Sequence, residues 1–201
     1  MFDALEDEDL RACLEFVVKA DALKKVLRKT SVIKSDRREN TAEHSWHLAL
    51  MALILQRYAN APVNLERVIK MLLLHDLGEI ETGDVHMYDS ARSEVQKSER
   101  SAVDRLSSSL PQELHAEMMS LWTEFTEGVT PEACYARALD RFQPFLSNLS
   151  NDGGSWKFLE ITKEKALAKN QHISEGSATL WHAYEVLAEQ AEREGCFHKP
   201  A

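Results

Sequence analysis

The chain has 201 residues, 24 Lys plus Arg against 33 Asp plus Glu, and a net charge of −9. That acidity excludes a nucleic-acid polymer as the main partner, because neutralising phosphates takes a basic surface. With only 7 Gly and 5 Pro, the chain is too poor in turn-formers for a many-stranded β protein.

The acidic N-terminal stretch, Met1 to Asp9, has no basic region and no long apolar run, so no signal peptide is expected. Leu10, Cys13, Leu14 and Val17 repeat at helical spacing and predict a first helix. Asn40 with Glu43 three residues on is a capping-box pattern, and it opens a helix from Glu43 to about Tyr58. This helix is apolar on most sides, as a central, buried helix would be. A second core helix is expected from Asn64 to Gly78, followed by a loop over Ile80–Ser90. Further helices are predicted at 92–109, 112–126, 131–147, 162–173 and 177–194. Thr130-Pro131 opens the third of these, with Thr as cap and Pro in the first turn. The clearest turn is Asn151 to Ser155. With no internal repeat or low-complexity linker, the fold class expected is all-α, one domain over 1–201 with its core at about 10–190.

Three scattered cysteines (Cys13, Cys134, Cys196) suit a reducing compartment, and no apolar run approaches the ~20 residues that span a bilayer. A cytoplasmic protein without membrane contact is the expectation.

The chemistry sits where polar residues interrupt the most apolar helices. His44 shares a face with Leu48, Met51 and Leu55, and His75-Asp76 ends the Leu72-Leu73-Leu74 run. Asp140 lies beside Leu139, between aromatic positions. A buried carboxylate is costly unless it is paired or metal-bound. Two imidazoles with two carboxylates suit one divalent ion, Mn, Fe, Co, Ni, Zn or Mg. Glu79 follows Asp76 by three residues and has the residue type for general acid/base work. Against these stand a histidine that is only packed in the core, and a solvated glutamate at a helix end. Lys29, Lys34, Arg37 and Arg38 concentrate positive charge ahead of His44 in an otherwise acidic chain. His47 and His86 are extra histidines near the site.

Glu43-His44-Ser45, His75-Asp76-Leu77-Gly78-Glu79 and Ala138-Leu139-Asp140-Arg141 resemble the HD-domain metal-dependent phosphohydrolases. The likeness is greatest to the branch that contains 5′-deoxynucleotidases, through Arg38-Glu39-Asn40-Thr41-Ala42 and Thr82-Gly83-Asp84. The resemblance implies a helical bundle in which His44, His75, Asp76 and Asp140 hold one divalent metal. It further implies that Glu79 is the catalytic acid/base beside Asp76, that Asp84 contacts the sugar, and that homodimers form. Substrate-binding candidates are Lys29, Thr30, Lys34, Arg37, Asp84 and His86. Members of that branch carry an Arg-Trp pair ahead of the first histidine, where an ungapped count back from His44 finds Lys29-Thr30. They also carry a Pro-containing loop where this chain has Val85-His86-Met87.

The expected activity is release of phosphate from (deoxy)nucleoside 5′-monophosphates or a similar small phosphorylated metabolite. The alternatives are a triphosphohydrolase or phosphodiesterase, and a catalytically silent metal-stabilised binding protein.

Overall fold

A computed structural model of the chain describes residues 1–85 and 92–198, and of 92–96 the backbone alone. Helix α1, Glu8–Ala20, starts where the Asp7 carboxylate accepts from the Leu10 N–H at 2.9 Å. The two ends of its predicted stripe stay in solvent, Leu10 47% and Val17 64% exposed. Only Phe16 and Ala20, at the end of the helix, pack on the cluster of Leu23, Leu77, Val103 and Trp122.

After a 3₁₀ turn, Asp21–Lys25, the chain makes a hairpin that no apolar alternation announced: β1, Leu27–Ser31, antiparallel to β2, Arg38–Asn40. Leu27 pairs with Asn40 and Ser31 with Arg38, with an irregular register between them. The Arg38 side chain closes that irregularity by donating to the carbonyls of Leu27 and Arg28. The hairpin is tied to a distant helix. Ser147 Oγ donates to the Ser31 carbonyl, and the Asn151 amide accepts from the Lys34 N–H at 2.6 Å and donates to the Val32 carbonyl at 3.1 Å.

Helix α2, Thr41–Leu55, begins with the predicted capping box: Asn40 accepts from the Glu43 N–H at 2.9 Å, and Glu43 accepts from the Asn40 N–H at 3.1 Å. It is not buried all round. His44, Ser45, Leu48, Met51 and Ala52 face inward, while Trp46, Leu50, Leu53 and Ile54 are exposed. Its apolar outer face has no neighbour among the described elements, so the sequence pattern overstated its burial.

Helix α3, Leu65–Leu74, is capped by Asn64 and ends before His75. His75 to Gly78 form a turn, and α4, Glu79–Thr82, is a single helical turn within the tract expected to be a loop. Helices α5, Arg92–Ser107, and α6, Gln112–Glu127, follow. Gly128, in the left-handed region at φ 65°, closes α6. Thr130 then caps α7, Pro131–Ser150, with Pro131 in its first turn. Pro144 lies inside α7, so the Asp140 carbonyl four residues earlier has no ladder N–H to accept. The remaining helices are α8, Ser155–Phe158; α9, Lys163–Asn170; α10, Ile173–Gly176; and α11, Ala178–Arg193.

The core lies where α2, α3 and α7 pack together and against α9 to α11. Leu48, Val68, Leu72, Tyr135, Leu139 and Tyr184 are essentially solvent-free there. Each such side chain contributes roughly 1.5–3 kcal/mol by leaving water. The all-α expectation holds, with the one small hairpin added. No helix among the described residues is long and apolar enough to cross a membrane.

Candidate metal centre and active site

Helices α2 and α7 and the turn after α3 bring His44, His75 and Asp140 to one point, with Asp76 beside them. His44, in the first turn of α2, is wholly buried. Its Nε2 lies 3.1 Å from Asp140 Oδ1 of α7 and 4.0 Å from Asp76 Oδ2. His75 Nε2, from the turn after α3, is 2.9 Å from Asp76 Oδ2 and 3.6 Å from Asp140 Oδ1. The donor atoms of His44, His75 and Asp140 all lie within 4.8 Å of one another.

Both rings are held from behind. His75 Nδ1 donates to the Leu72 carbonyl at 2.8 Å, and His44 Nδ1 is 3.1 Å from the amide oxygen of Gln143. Each ring therefore keeps its Nδ1 proton and turns a lone pair on Nε2 toward the carboxylates. Lone pairs facing carboxylate oxygens repel unless positive charge sits among them. His75 Nε2 is buried and makes no hydrogen bond there. His44, His75 and Asp140 thus fit a divalent cation, and Asp76, next to both rings, stands beside them as a fourth candidate ligand.

Without a cation, the demand for positive charge among these groups falls on a proton at His75. Burial pulls His75 down, but Asp76 and Asp140 outweigh it and carry the ring up to about 10. Burial and the neighbouring Arg28 charge take His44 down to about 4. For Asp76, burial is outweighed by His75 and Arg28, which lower it to about 2. Asp140 is likewise held well below the usual range, by Arg141 and the two rings against the effect of burial.

Glu79 opens α4 beside the cluster, 5% exposed, and accepts from Thr41 Oγ1 at 2.8 Å. Burial and the Asp76 charge push its carboxyl up to about 9. Burial thus favours the protonated form of this carboxyl, the form in which it can act as a general acid.

The sequence did not single out Arg28. Its Nη1 reaches Asp76 Oδ2 at 3.2 Å and Asp84 Oδ1 at 4.0 Å, and its Nε lies 3.7 Å from Glu39 Oε2. Burial opposes its charge, but Asp76 and Asp84 raise its pKa further. A buried guanidinium thus stands one residue before the position where the ungapped count looks for the Arg of the Arg-Trp pair. The available signal was its position, directly before Lys29 in the basic tract.

Arg28, Lys29 and Thr30 line a small recess with Asp76, Glu79 and Asp84. The Lys29 N–H donates to Asp84 Oδ2 at 3.3 Å. A cavity of about 360 Å³ shares Asp76, Glu79 and Asp140 with this recess and is also lined by His75, Trp122, Phe125 and Arg137. Lys34, Arg37 and Arg38 are placed elsewhere. Lys34 sits at the hairpin tip in the left-handed region, φ 57°. Arg37 pairs with Glu43 through two 3.0 Å bonds, and Arg38 braces the hairpin backbone. His47 joins Gln143 at 3.3 Å and is not in the donor cluster. His86 lies outside the described residues.

A family model described as "HD domain" matches residues 20–181. The chain belongs to the HD domain family. It is 28% identical to the 5′-deoxynucleotidase HDDC2 of Xenopus laevis over 69% of each chain. It is 30% identical to the 5′-deoxynucleotidase of Erwinia tasmaniensis, over 73% of this chain and 80% of that one. The crystal structure of a predicted metal-dependent phosphohydrolase from Magnetospirillum magnetotacticum superposes with a TM-score of 0.91 at 41% identity, covering 96% of this chain and 97% of the other. The resemblance read from the motifs is borne out by all three comparisons.

Proposed function

We propose that this chain, a metal-dependent hydrolase of phosphate esters by family, releases phosphate from nucleoside 5′-monophosphates, deoxyribonucleotides among them. The observation that carries the reading is the meeting, in one cleft, of a His-His-Asp donor cluster with Asp76 beside it, a buried guanidinium and the buried carboxyl of Glu79. A bound divalent ion supplies Lewis-acid stabilisation of charge developing on the phosphoryl oxygens. Arg28 binds the phosphate with a bidentate fork, and Lys29 adds charge beside it. Water attacks phosphorus as the ester P–O bond breaks; Glu79 gives its proton to the leaving ester oxygen and regains one from the attacking water, and Asp84 accepts from a sugar hydroxyl. Lys29 follows Arg28 where the deoxynucleotidases carry Trp, so the sugar faces a flexible cation instead of an aromatic wall. Ribonucleotides are accordingly accepted beside deoxyribonucleotides.

The whole chain acts as one domain in this reading, in the cytoplasm, with its three cysteines free. The exposed apolar face of α2, Trp46, Leu50, Leu53 and Ile54, is the surface we assign to a homodimer. Light scattering on wild type and Ile54→Glu checks it, and an unchanged mass removes that assignment.

The deciding test is phosphate release from a ribo- and deoxyribonucleoside monophosphate panel. Metal-stripped protein is refilled with Mn²⁺, Fe²⁺, Co²⁺, Ni²⁺, Zn²⁺ or Mg²⁺, with Asp76→Ala as the blank. Metal-dependent release that vanishes in the blank is expected. Tripolyphosphate from a triphosphate, or a nucleotide from a diester, replaces the monoesterase with the corresponding phosphohydrolase. Full metal occupancy with no turnover leaves a binding protein.

A further inference from the structure

Behind the ligand set lies a second layer of buried polar groups that metal binding and proton transfer do not use directly. Its centre is Glu39, 5% exposed, on β2. A glutamate inside a protein is expensive unless it has a task or partners. Glu39 Oε1 accepts from Gln143 Nε2 at 2.9 Å. The other end of the same amide, Gln143 Oε1, lies 3.1 Å from His44 Nδ1. Glu39 Oε2 faces Arg28 Nε at 3.7 Å, and each of these two atoms is buried without a hydrogen bond, so charge alone pairs them.

The direction of this chain is fixed by what each group can do. A carboxylate only accepts, so the NH₂ end of Gln143 must face Glu39. His47 Nδ1, 3.3 Å from the same nitrogen, is a second group that can accept there. The amide oxygen is left for His44, whose Nδ1 must then carry the proton and whose Nε2 must present its lone pair to Asp140 and Asp76. One carboxylate oxygen therefore sets the tautomer and tilt of a metal ligand through Gln143. The other attracts the guanidinium that reaches the phosphate recess.

We propose that Glu39 is a positioning residue shared by the two halves of the site, aiming His44 at the metal through Gln143 and aiming Arg28 at the substrate phosphate. The proposal rests on the phosphohydrolase reading for the word substrate, but the geometry it invokes is testable without turnover.

Three variants separate the two arms. Glu39→Gln keeps a carbonyl for Gln143 to donate to and removes the charge facing Arg28. Gln143→Leu cuts the arm to His44 and leaves Glu39 facing Arg28. Glu39→Leu removes both. Metal-stripped proteins are titrated calorimetrically with Mn²⁺, and Mn²⁺-saturated proteins are titrated with inorganic phosphate. The substrate KM and kcat are then read separately. Glu39→Gln should weaken phosphate binding and raise KM about tenfold, with Mn²⁺ affinity within twofold of wild type. Gln143→Leu should weaken Mn²⁺ by about 10–100-fold, with phosphate affinity at saturating Mn²⁺ within about threefold. Glu39→Leu should show both losses, and if it does not fold the first two variants still decide. A merely structural glutamate would lower thermal stability in all three without this split. Unchanged phosphate affinity in Glu39→Gln, or unchanged Mn²⁺ affinity in Gln143→Leu, overturns the proposal. Wild-type protein that binds Mn²⁺ and phosphate but turns over no monophosphate would instead defeat the functional reading and leave Glu39 to be judged on the titrations.

Discussion

The site is assembled from two regions built on opposite principles. The metal floor comes from α2, α3 and α7, elements held by apolar packing around Leu48, Leu72 and Leu139. The substrate wall comes from the hairpin β1–β2, where none of the strand residues joins those apolar clusters and the position depends on directed polar contacts. These are Ser147 to Ser31, Asn151 to the backbone around Val32 and Lys34, and Arg28 to the carboxylates. Hydrophobic burial is non-directional and tolerant, whereas a hydrogen-bonded loop is positioned only by its particular partners. The floor should therefore respond to mutation through metal affinity and kcat, and the wall through KM.

The sharpest break comes at the floor. Asp140→Ala, or treatment with chelator, should abolish Mn²⁺ binding and lower turnover by about 10³-fold or more, read by calorimetry and phosphate release. Glu79→Gln should keep the metal and lower kcat by about 10²–10⁴-fold, with KM little changed. Retained kcat in that variant would move the proton role elsewhere.

The pH dependence sharpens the same point. Glu79 titrates at about 9 in the folded chain, above its ordinary carboxyl value of 4.5. Its protonated form therefore adds stability that is full below 4.5 and is lost as pH rises through 9. Thermal melts of metal-stripped protein should fall from pH 7 to 9, since His75, carried from 6.5 up to about 10, acts in the same direction, and Glu79→Gln should lessen that fall without removing it.

At the wall, Arg28→Lys should raise KM about 10–100-fold with kcat and Mn²⁺ affinity nearly kept, because Lys lacks the bidentate fork. A kcat loss of that size with KM unchanged would place Arg28 with the floor. Asn151→Ala, remote from the chemistry, should raise KM a few-fold, since it loses two hydrogen bonds of about 1 kcal/mol each from the hairpin tether. The smallest effect belongs to Lys34→Ala and Arg37→Ala, expected within about twofold in kcat/KM because both side chains are exposed pairs or turn positions.

The same contrast explains what could be read from the residues alone. His44, His75, Asp76 and Asp140 were legible because a polar group in a strongly apolar helical pattern is locally anomalous. Glu79 was legible by its spacing from Asp76, and the Asn40–Glu43 and Thr130–Pro131 caps are local rules that the structure obeys. Arg28 and the hairpin were not legible. β1 and β2 are short, charged and unalternating, and they are fixed by Ser147 and Asn151, more than a hundred residues away in sequence. The exposed side of α2 was also hidden, because periodicity reports which residues are apolar and says nothing of whether a neighbour covers them.

Pro144 gives α7 a further property. A proline in a helix interior costs about 3 kcal/mol, and here it falls four residues after Asp140 of the candidate metal site, in the wall of the recess. The helix lacks a ladder bond at the place where Asp140 meets the rings of His44 and His75. Pro144→Ala would be a stabilising substitution by backbone arithmetic, and it would restore a ladder bond to the Asp140 carbonyl. In that variant a higher melting temperature and a weaker catalyst are expected together, the trade in which a protein keeps a missing backbone bond beside its chemistry.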